Sequence, residues 1–514
     1  MRPRVLFLVP MFAAVLAAGL VAPPPAGADA TQVLIAHGLV TPAQGRGADL
    51  FFRGQFSGNG RTCGSCHPVG NNQEIGAEFI GTLPANDPLF VAEFPPGQGG
   101  VPGLERPALM RGFGLILENT DGFSNPTVLF TMRGVPHSLS LVTSIAAPND
   151  GRPQVQRTGW SGDGAPGSGA LRLFPVGAVT QHFTKSLNRI ANTDFVLPTS
   201  SQLDDMEQFM LAVGRLNELN VPGVSLTNSV AEAGRTLFLD NAVAKCNLCH
   251  LNAGANSAFG GNPNFNTGVE RLVNPARAVE DFPFDGGHGA TQPFDSDGDG
   301  DPDSFGDGTF NTTPLIEAAD TEPFFHNNVI QTIEDAVAFY SGPEFNGSPA
   351  GALVGGIDLT PQQSNDIAAF LRVVNAGFNI DIAVQRTGAG KTLENSSGGG
   401  TTSSCTPEPT PEPSLTTCTS FPEPDGKRET IDALLALANI EAADAVEVLH
   451  ARGLNPTAVA RLLEGIDLNQ QAINTNASNQ RKLLMQKALD KFAAAKANLG
   501  TGLNLVMGKG NLLL

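Results

Sequence analysis

Apolar residues recur at three- and four-residue intervals in several separate stretches of this chain, and the sequence between them is rich in glycine and proline. The first stretch, Thr41 to Phe56, predicts a helix carrying Leu50, Phe51 and Phe52 and ended by Gly58-Asn59-Gly60. Ser229 to Leu239 predicts another, with Val230, Ala233, Leu237 and Phe238 on one face. Thr332 to Tyr340 is a third. Thr360 to Ala376 is a fourth, with Thr360 as N-cap, Pro361 in the first turn, and Ile367, Phe370, Leu371 and Val374 as its apolar face. From Glu429 to Leu499 the helical period returns. Ile431, Leu434, Leu435, Val446 and Leu449 precede an Asn455-Pro456 break, and Val459, Leu462, Leu463 and Ile466 follow it. Phe94–Gly103 and Asn149–Gly169 read as long loops, and residues 387–427 have the Gly, Ser, Thr, Pro and Glu composition of a linker.

The N-terminus has a different pattern. Val5 to Val21 is mostly apolar without a polar face, after Arg2 and Arg4 and before Pro23-Pro24-Pro25. Residues 1–28 read as a secretory signal, cleaved after Ala26-Gly27-Ala28 or at Ala28-Asp29-Ala30, which puts the mature chain in the periplasm. An uncleaved anchor is the alternative, and the proline break speaks for cleavage. No later apolar run approaches the roughly 20 residues of a membrane span.

Composition adds two constraints. With 59 glycines, 38 prolines and 6% aromatics, the chain is loop-rich, which suits a protein whose core is partly a prosthetic group. The net charge of −19 argues against nucleic acid as a partner. It favours a basic or dipolar small redox protein as electron donor, or is simply a solvated acidic surface.

The candidate chemistry lies in a Cys-x-x-Cys-His pattern that occurs twice, as Cys63-Gly-Ser-Cys66-His67 and Cys246-Asn-Leu-Cys249-His250. This pattern marks covalent attachment of c-type haem: the thiols add to the porphyrin vinyl groups and the histidine binds iron. A thioredoxin-like pair or half of a zinc site would have to explain why both copies end in histidine. Each copy follows one of the predicted helices, so the helix–loop–motif unit is duplicated. That implies two haem domains, residues 29–222 and 223–386, split near Asn220-Val221-Pro222-Gly223 and followed by the linker and a helical region over 428–514.

The two remaining cysteines, Cys405 and Cys418, lie in the linker, as a short disulfide loop or as free thiols. Asp295, Asp297, Asp299, Asp301 and Asp303 alternate around Gly300 in the manner of a calcium loop. No glutamate stands at its twelfth position, Gly306, but Asp303 and Asp307 offer late ligands; a solvated acidic loop is the alternative.

Downstream of the second motif the chain resembles the bacterial di-haem cytochrome c peroxidases, including their MauG-like branch. The residues that carry this are Phe310, Pro314, Leu315, Thr321, Pro323, Phe324, Phe325 and His326, followed by Thr332-Ile-Glu-Asp-Ala-Val-Ala-Phe-Tyr340. Arg133-Gly134-Val135-Pro136 and Trp160-Ser161-Gly162-Asp163-Gly164 are looser matches. The resemblance implies a mainly α fold with two cytochrome-c-like domains. It implies Tyr340, the only tyrosine, as second axial ligand to the iron held by His250, and Trp160, the only tryptophan, as an electron relay. A structural tyrosine and a packed indole are the plain alternatives. The family's His at position 326 is a pocket residue. Thr321 and Pro323 match positions that hold a calcium between the two haem domains, although Gly134 replaces the usual asparagine there.

Where the family has a glutamate that cleaves bound peroxide, this chain has Gly177-Ala-Val-Thr-Gln181-His182-Phe183. His182, beside Gln181, either takes over the acid–base work or ligates the iron; His137 is a second candidate sixth ligand. The resulting expectation is a periplasmic di-haem oxidoreductase, with hydrogen peroxide as substrate at the haem of His67. Electrons would come from a small redox protein through the second haem, and a homodimer is a family habit. The alternatives are an electron-transfer cytochrome with both irons six-coordinate, oxidation of a protein or organic substrate, and a tail that docks the cytochrome onto a larger complex.

Overall fold

The computed structural model describes residues 28–119, 129–148, 151, 156–163, 169–289, 293–294, 304–396 and 426–513. The chain is about 52% helical with few strands, a mainly α fold as expected. The signal segment up to residue 27, the Asp295–Asp303 loop, and Cys405 and Cys418 lie outside the described residues.

Helix α1 (Ala28–Ala36) leads into α2 (Pro42–Arg53), where Thr41 and Gln44 form a reciprocal cap. This helix stops at Arg53, short of the expected Phe56. Its Phe51 ring meets Phe209 of α4 (Ser200–Met210) at 5.3 Å, after the intervening α3 (Phe174–His182). The crossing is close because Gly47 has no side chain: a Cβ there would lie 2.0 Å from the Asp205 carbonyl oxygen. The second unit repeats this construction. Helix α5 (Ser229–Leu239) crosses α7 (Pro361–Asn395) at Gly234, where a Cβ would meet the Asp366 carbonyl oxygen at 1.8 Å. Between them α6 (Ile333–Phe339) is capped by Thr332 and carries Tyr340 at its end. Each haem motif thus follows a helix pinned against the last helix of its own unit.

Helix α7 departs from the sequence reading. It runs on to Asn395, so residues 387–395, expected in the linker, are helical. Their Thr and Gly composition looks like a linker, but small residues are what the packing needs. Gly390 faces Ile431, Leu435 and Met485, and the Thr387 hydroxyl accepts from the buried Asn469 amide at 3.0 Å. Helix α7 also has an 18-residue window of mean hydropathy 1.5, long and apolar enough to span a bilayer by composition, although no such run was expected. That window is 89% buried inside the protein, so its apolarity has a packing cause.

The C-terminal region forms three helices, α8 (Lys427–His450), α9 (Pro456–Ile473) and α10 (Ser478–Ala497); α8 and α10 pack on α7, and α9 packs on α8 and α10. One hydrophobic cluster extends from Val33 to Leu513, so both motif-bearing units and the C-terminal helices share a core. The segment joining the units is covered by the chain end. Strand β3 (Ser225–Leu226) pairs antiparallel with β8 (Gly500–Thr501), and the Asn511 side chain accepts from Gly214 N at 2.6 Å and donates to Gly214 O at 3.1 Å. Buried ion pairs tie the parts together, among them Arg215–Glu317 at 2.9 Å and Arg386–Glu441 at 2.7 Å.

The strands are minor. β1 (Leu115–Asn119) and β2 (Phe130–Gly134) form an antiparallel hairpin with Leu115 opposite Gly134. In the second unit β7 (Ser304–Asn311) pairs with β4 (Asn264–Phe265), β5 (Gly286–Gly287) and β6 (Pro293–Phe294).

Candidate haem sites

The first motif is a single turn: Thr62 and Ser65 bond reciprocally, and His67 N donates to Cys63 O at 2.9 Å. Cys63 and Cys66 form no disulfide. The imidazole Nδ1 of His67 lies 2.8 Å from the Gln73 carbonyl oxygen, which makes Nδ1 the donor and leaves Nε2 free for a metal. Burial, partly offset by this bond, pushes His67 down to about 4, so the ring is neutral at ordinary pH. These three side chains face a cavity of ≈ 260 Å3. Two unpaired thiols and an imidazole with an open Nε2, on a largely apolar cavity, fit a covalently bound haem.

The same cavity is lined by His182 and Gln181 of α3, by His137, and by Trp160. Gln181 Oε1 accepts from Asn119 N at 2.8 Å, which orients the amide so that its Nε2 donates to His182 Nε2, also at 2.8 Å. His182 Nε2 is then unprotonated and already engaged. Burial, followed by the charges of Arg61 and Arg189, pushes His182 down to about 3. Arg61 is itself held by Glu105 at 2.7 Å. His137 is different: its Nδ1 is buried without a hydrogen-bond partner. Burial lowers its basicity, against the influence of Glu317. Its neighbour Ser138 donates to the Gln73 side chain, next to the proximal loop.

The stretch Gly177–Phe183 supplies no carboxylate, as its sequence implied, but the cavity does not lack one. Glu118 of β1, bonded to Arg133 Nη1 at 2.7 Å, lines it, as does the buried Glu74. Neither stood out in the sequence, because only the hairpin and the loop after His67 bring them there.

Trp160 donates from Nε1 to Gly134 O at 2.7 Å, and its ring meets the buried His326 edge-on at 6.4 Å. His326 stacks on Phe310 with centroids 3.7 Å apart and bonds Glu270 at 2.6 Å. The two ends of the Phe310–His326 run therefore close on each other beside the tryptophan.

The second motif repeats the first in outline. His250 N donates to Cys246 O at 2.9 Å, and the Nδ1 of His250 lies 3.1 Å from Thr313 O and 3.3 Å from Gly254 O. Burial lowers its pKa to about 4, and Nε2 is again left over. Tyr340 is half-buried against Phe345 at 4.9 Å. Burial, then the nearby Cys249 and Cys246 thiols, raises its phenol pKa. Without a cation beside it the phenol keeps its proton; a metal there would supply the missing charge. Phe325 lines the first cavity while its ring lies 6.4 Å from Tyr340, so it forms part of the wall between the two sites. Its φ of 66° is unusual for a bulky residue, and nothing in the sequence announced its place.

Thr321 is buried with its hydroxyl on Glu317 O, and Pro323 lines the first cavity. Carboxyl groups crowd the same region. Burial, then Asp320 and Glu322, holds Glu74 well above the ordinary range; burial also raises Asp320 and Glu322 to about 7 each. Among the described residues no group of three or more His, Cys, Asp or Glu side chains converges as a ready metal site.

No protein-family model matches the chain, and no curated protein sequence matches it. Among solved structures, a MauG-like protein associated with microbial copper homeostasis is similar to it, with 19% identity and a TM-score of 0.37 over 68% of this chain and 91% of that one.

Proposed function

We propose that this chain is a di-haem c-type oxidoreductase that reduces hydrogen peroxide. The observation that carries the reading is the duplicated motif, in which each histidine is tied through Nδ1 to a backbone carbonyl and keeps Nε2 for iron. Cys63, Cys66 and His67 would hold one haem, and Cys246, Cys249, His250 and Tyr340 the other. The haems supply one-electron redox chemistry; two electrons and two protons convert one peroxide into two waters.

The residues around the first cavity divide the remaining work. Neutral His182 accepts the proton of the incoming peroxide once the Gln181 amide yields its hold, and its low basicity favours returning that proton to the departing oxygen. Glu118, held by Arg133, is a carboxylate on the same wall. Trp160 and Phe325 place π systems on the side of the cavity facing the second unit. Electrons would enter from a small redox protein at the second haem. Periplasmic export follows from the N-terminal segment. Calcium at Asp295–Asp303, and at Thr321 and Pro323 where the crowded carboxyls favour a cation, completes the reading.

A second reading is favoured by His137. A buried imidazole with an unpartnered nitrogen in the same cavity is a candidate sixth ligand, which would make the chain an electron carrier inert to peroxide. The absorption and EPR spectra of the diferric protein, before and after one equivalent of peroxide, separate the two. A high-spin haem whose Soret band shifts supports the peroxidase. Two low-spin haems that ignore peroxide in diferric and half-reduced forms sink it.

A further inference from the structure

The C-terminal helices carry no haem motif, yet they close over the loop that orients His67. That loop turns through two successive left-handed, non-glycine residues, Asn72 (φ 49°) and Gln73 (φ 57°). Such a conformation persists only where the surroundings hold it. Gln73 supplies the carbonyl for His67 Nδ1, so the setting of this turn is the setting of the imidazole.

Asp320 of the second unit and Ser138 hold part of this turn, and the C-terminal region holds the rest. The Asn72 side chain donates to Asp320 O at 3.1 Å, and the Asp444 carboxyl of α8 lies beside it. The Ile440 side chain stands over Gly70, 4.0 Å from where a Cβ would be. Val69, Asn72 and Gln73 share a cavity of ≈ 10 Å3, room for about one water, with Arg386, Glu441 and Asn511. Glu441 gives one oxygen to Arg386 at 2.7 Å, and its other oxygen is buried without a partner. Arg386 also donates to Asn511 O at 2.8 Å, which fixes the chain end against the same cavity.

We propose that the C-terminal region is the proximal support of the first haem site, with Asp444 and Asn72 as positioning residues that act on iron through Gln73 and His67. This rests on His67 being the axial ligand.

The test uses full-length holoprotein carrying Asn72→Gly, Asp444→Ala or Asp444→Asn. Glycine keeps the left-handed turn accessible while removing the side-chain bonds, so that variant retains the loop conformation. The readouts are the midpoint potential and the low-frequency resonance Raman Fe–His band of each haem, assigned with a Cys246→Ala/Cys249→Ala variant. The expected result is a shifted band and a shifted potential for the first haem in Asn72→Gly and Asp444→Ala, with the second haem unmoved. Asp444→Asn, which retains an acceptor for the Asn72 amide, should restore the band. An unmoved first haem in folded variants, or equal shifts of both haems, overturns the proposal. Haem content by pyridine haemochrome stands apart: absence of covalent haem overturns the oxidoreductase reading and this one with it, whereas two haems with unmoved signatures overturn this one alone.

Discussion

The amide of Gln181 donates to Nε2 of His182 at 2.8 Å while its own oxygen is held by the Asn119 backbone N–H. The pair is a latch: it fixes the imidazole tautomer and keeps that nitrogen from any other partner until the latch opens. Replacing Gln181 by leucine removes the latch at little change in volume. We expect His182 Nε2 to become available to iron, and the first haem to turn low-spin in EPR. Retention of the wild-type spin state would show that His182 does not reach the metal.

His182→Ala should leave both haems attached and lower peroxide turnover by about 10²–10⁴-fold, the usual size of a lost acid–base group. Steady-state peroxide reduction with an artificial electron donor measures it. A loss under about threefold would transfer the proton work to Glu118, which Glu118→Gln then tests.

Tyr340→Met exchanges a phenol for a thioether at the end of α6. If the phenolate binds iron, the potential of the second haem rises on the order of tenths of a volt, since axial ligands span about 0.8 V. Spectroelectrochemical titration reads this directly. An unchanged potential would make Tyr340 a packing residue against Phe345.

Gly47→Ala and Gly234→Ala each force a Cβ into a backbone carbonyl at a helix crossing. Overpacking of this kind costs about 1–3 kcal/mol, and more where backbone must move. Denaturant unfolding of each holoprotein should show a lower midpoint, and haem incorporation should fall for the motif that follows the altered helix. Wild-type stability in either variant would mean the crossing is looser than described.

Glu334 on α6 is held between Arg372 and Arg452. Burial alone would raise its pKa, but the bonds to Arg372 and then Arg452 outweigh it and hold the carboxyl at about 2. A depressed folded pKa contributes stability that is present above the unfolded value near 4.5 and is lost as pH falls toward 2. Acid should therefore loosen α6, and the Tyr340-side haem spectrum should change over that window. Glu334→Gln should flatten the dependence there; a dependence identical to wild type would place the acid sensitivity elsewhere.

Much of this architecture was readable from local pattern. The cap at Thr360 and the apolar face of α7 act within a few residues, so the sequence displays them; of the face expected for α5, Phe238 is buried but Val230 and Ala233 are exposed. The haem motifs are local in the same sense. Glu118 reaches the first cavity only because β1 pairs with β2, and His137 lies there through the loop that follows. Thr387 and Gly390 looked like linker residues because they serve neighbours more than 40 residues away, which no local window contains.

The strand pair β3–β8 also has a place in time. Residues 225–226 leave the ribosome long before residues 500–501, and the partners of Gly214 come later still, at Asn511. The junction between the two units cannot close until residue 511 is made. Contacts this distant in sequence form slowly. Both Cys-x-x-Cys-His motifs therefore exist in the chain before the structure that encloses them is complete.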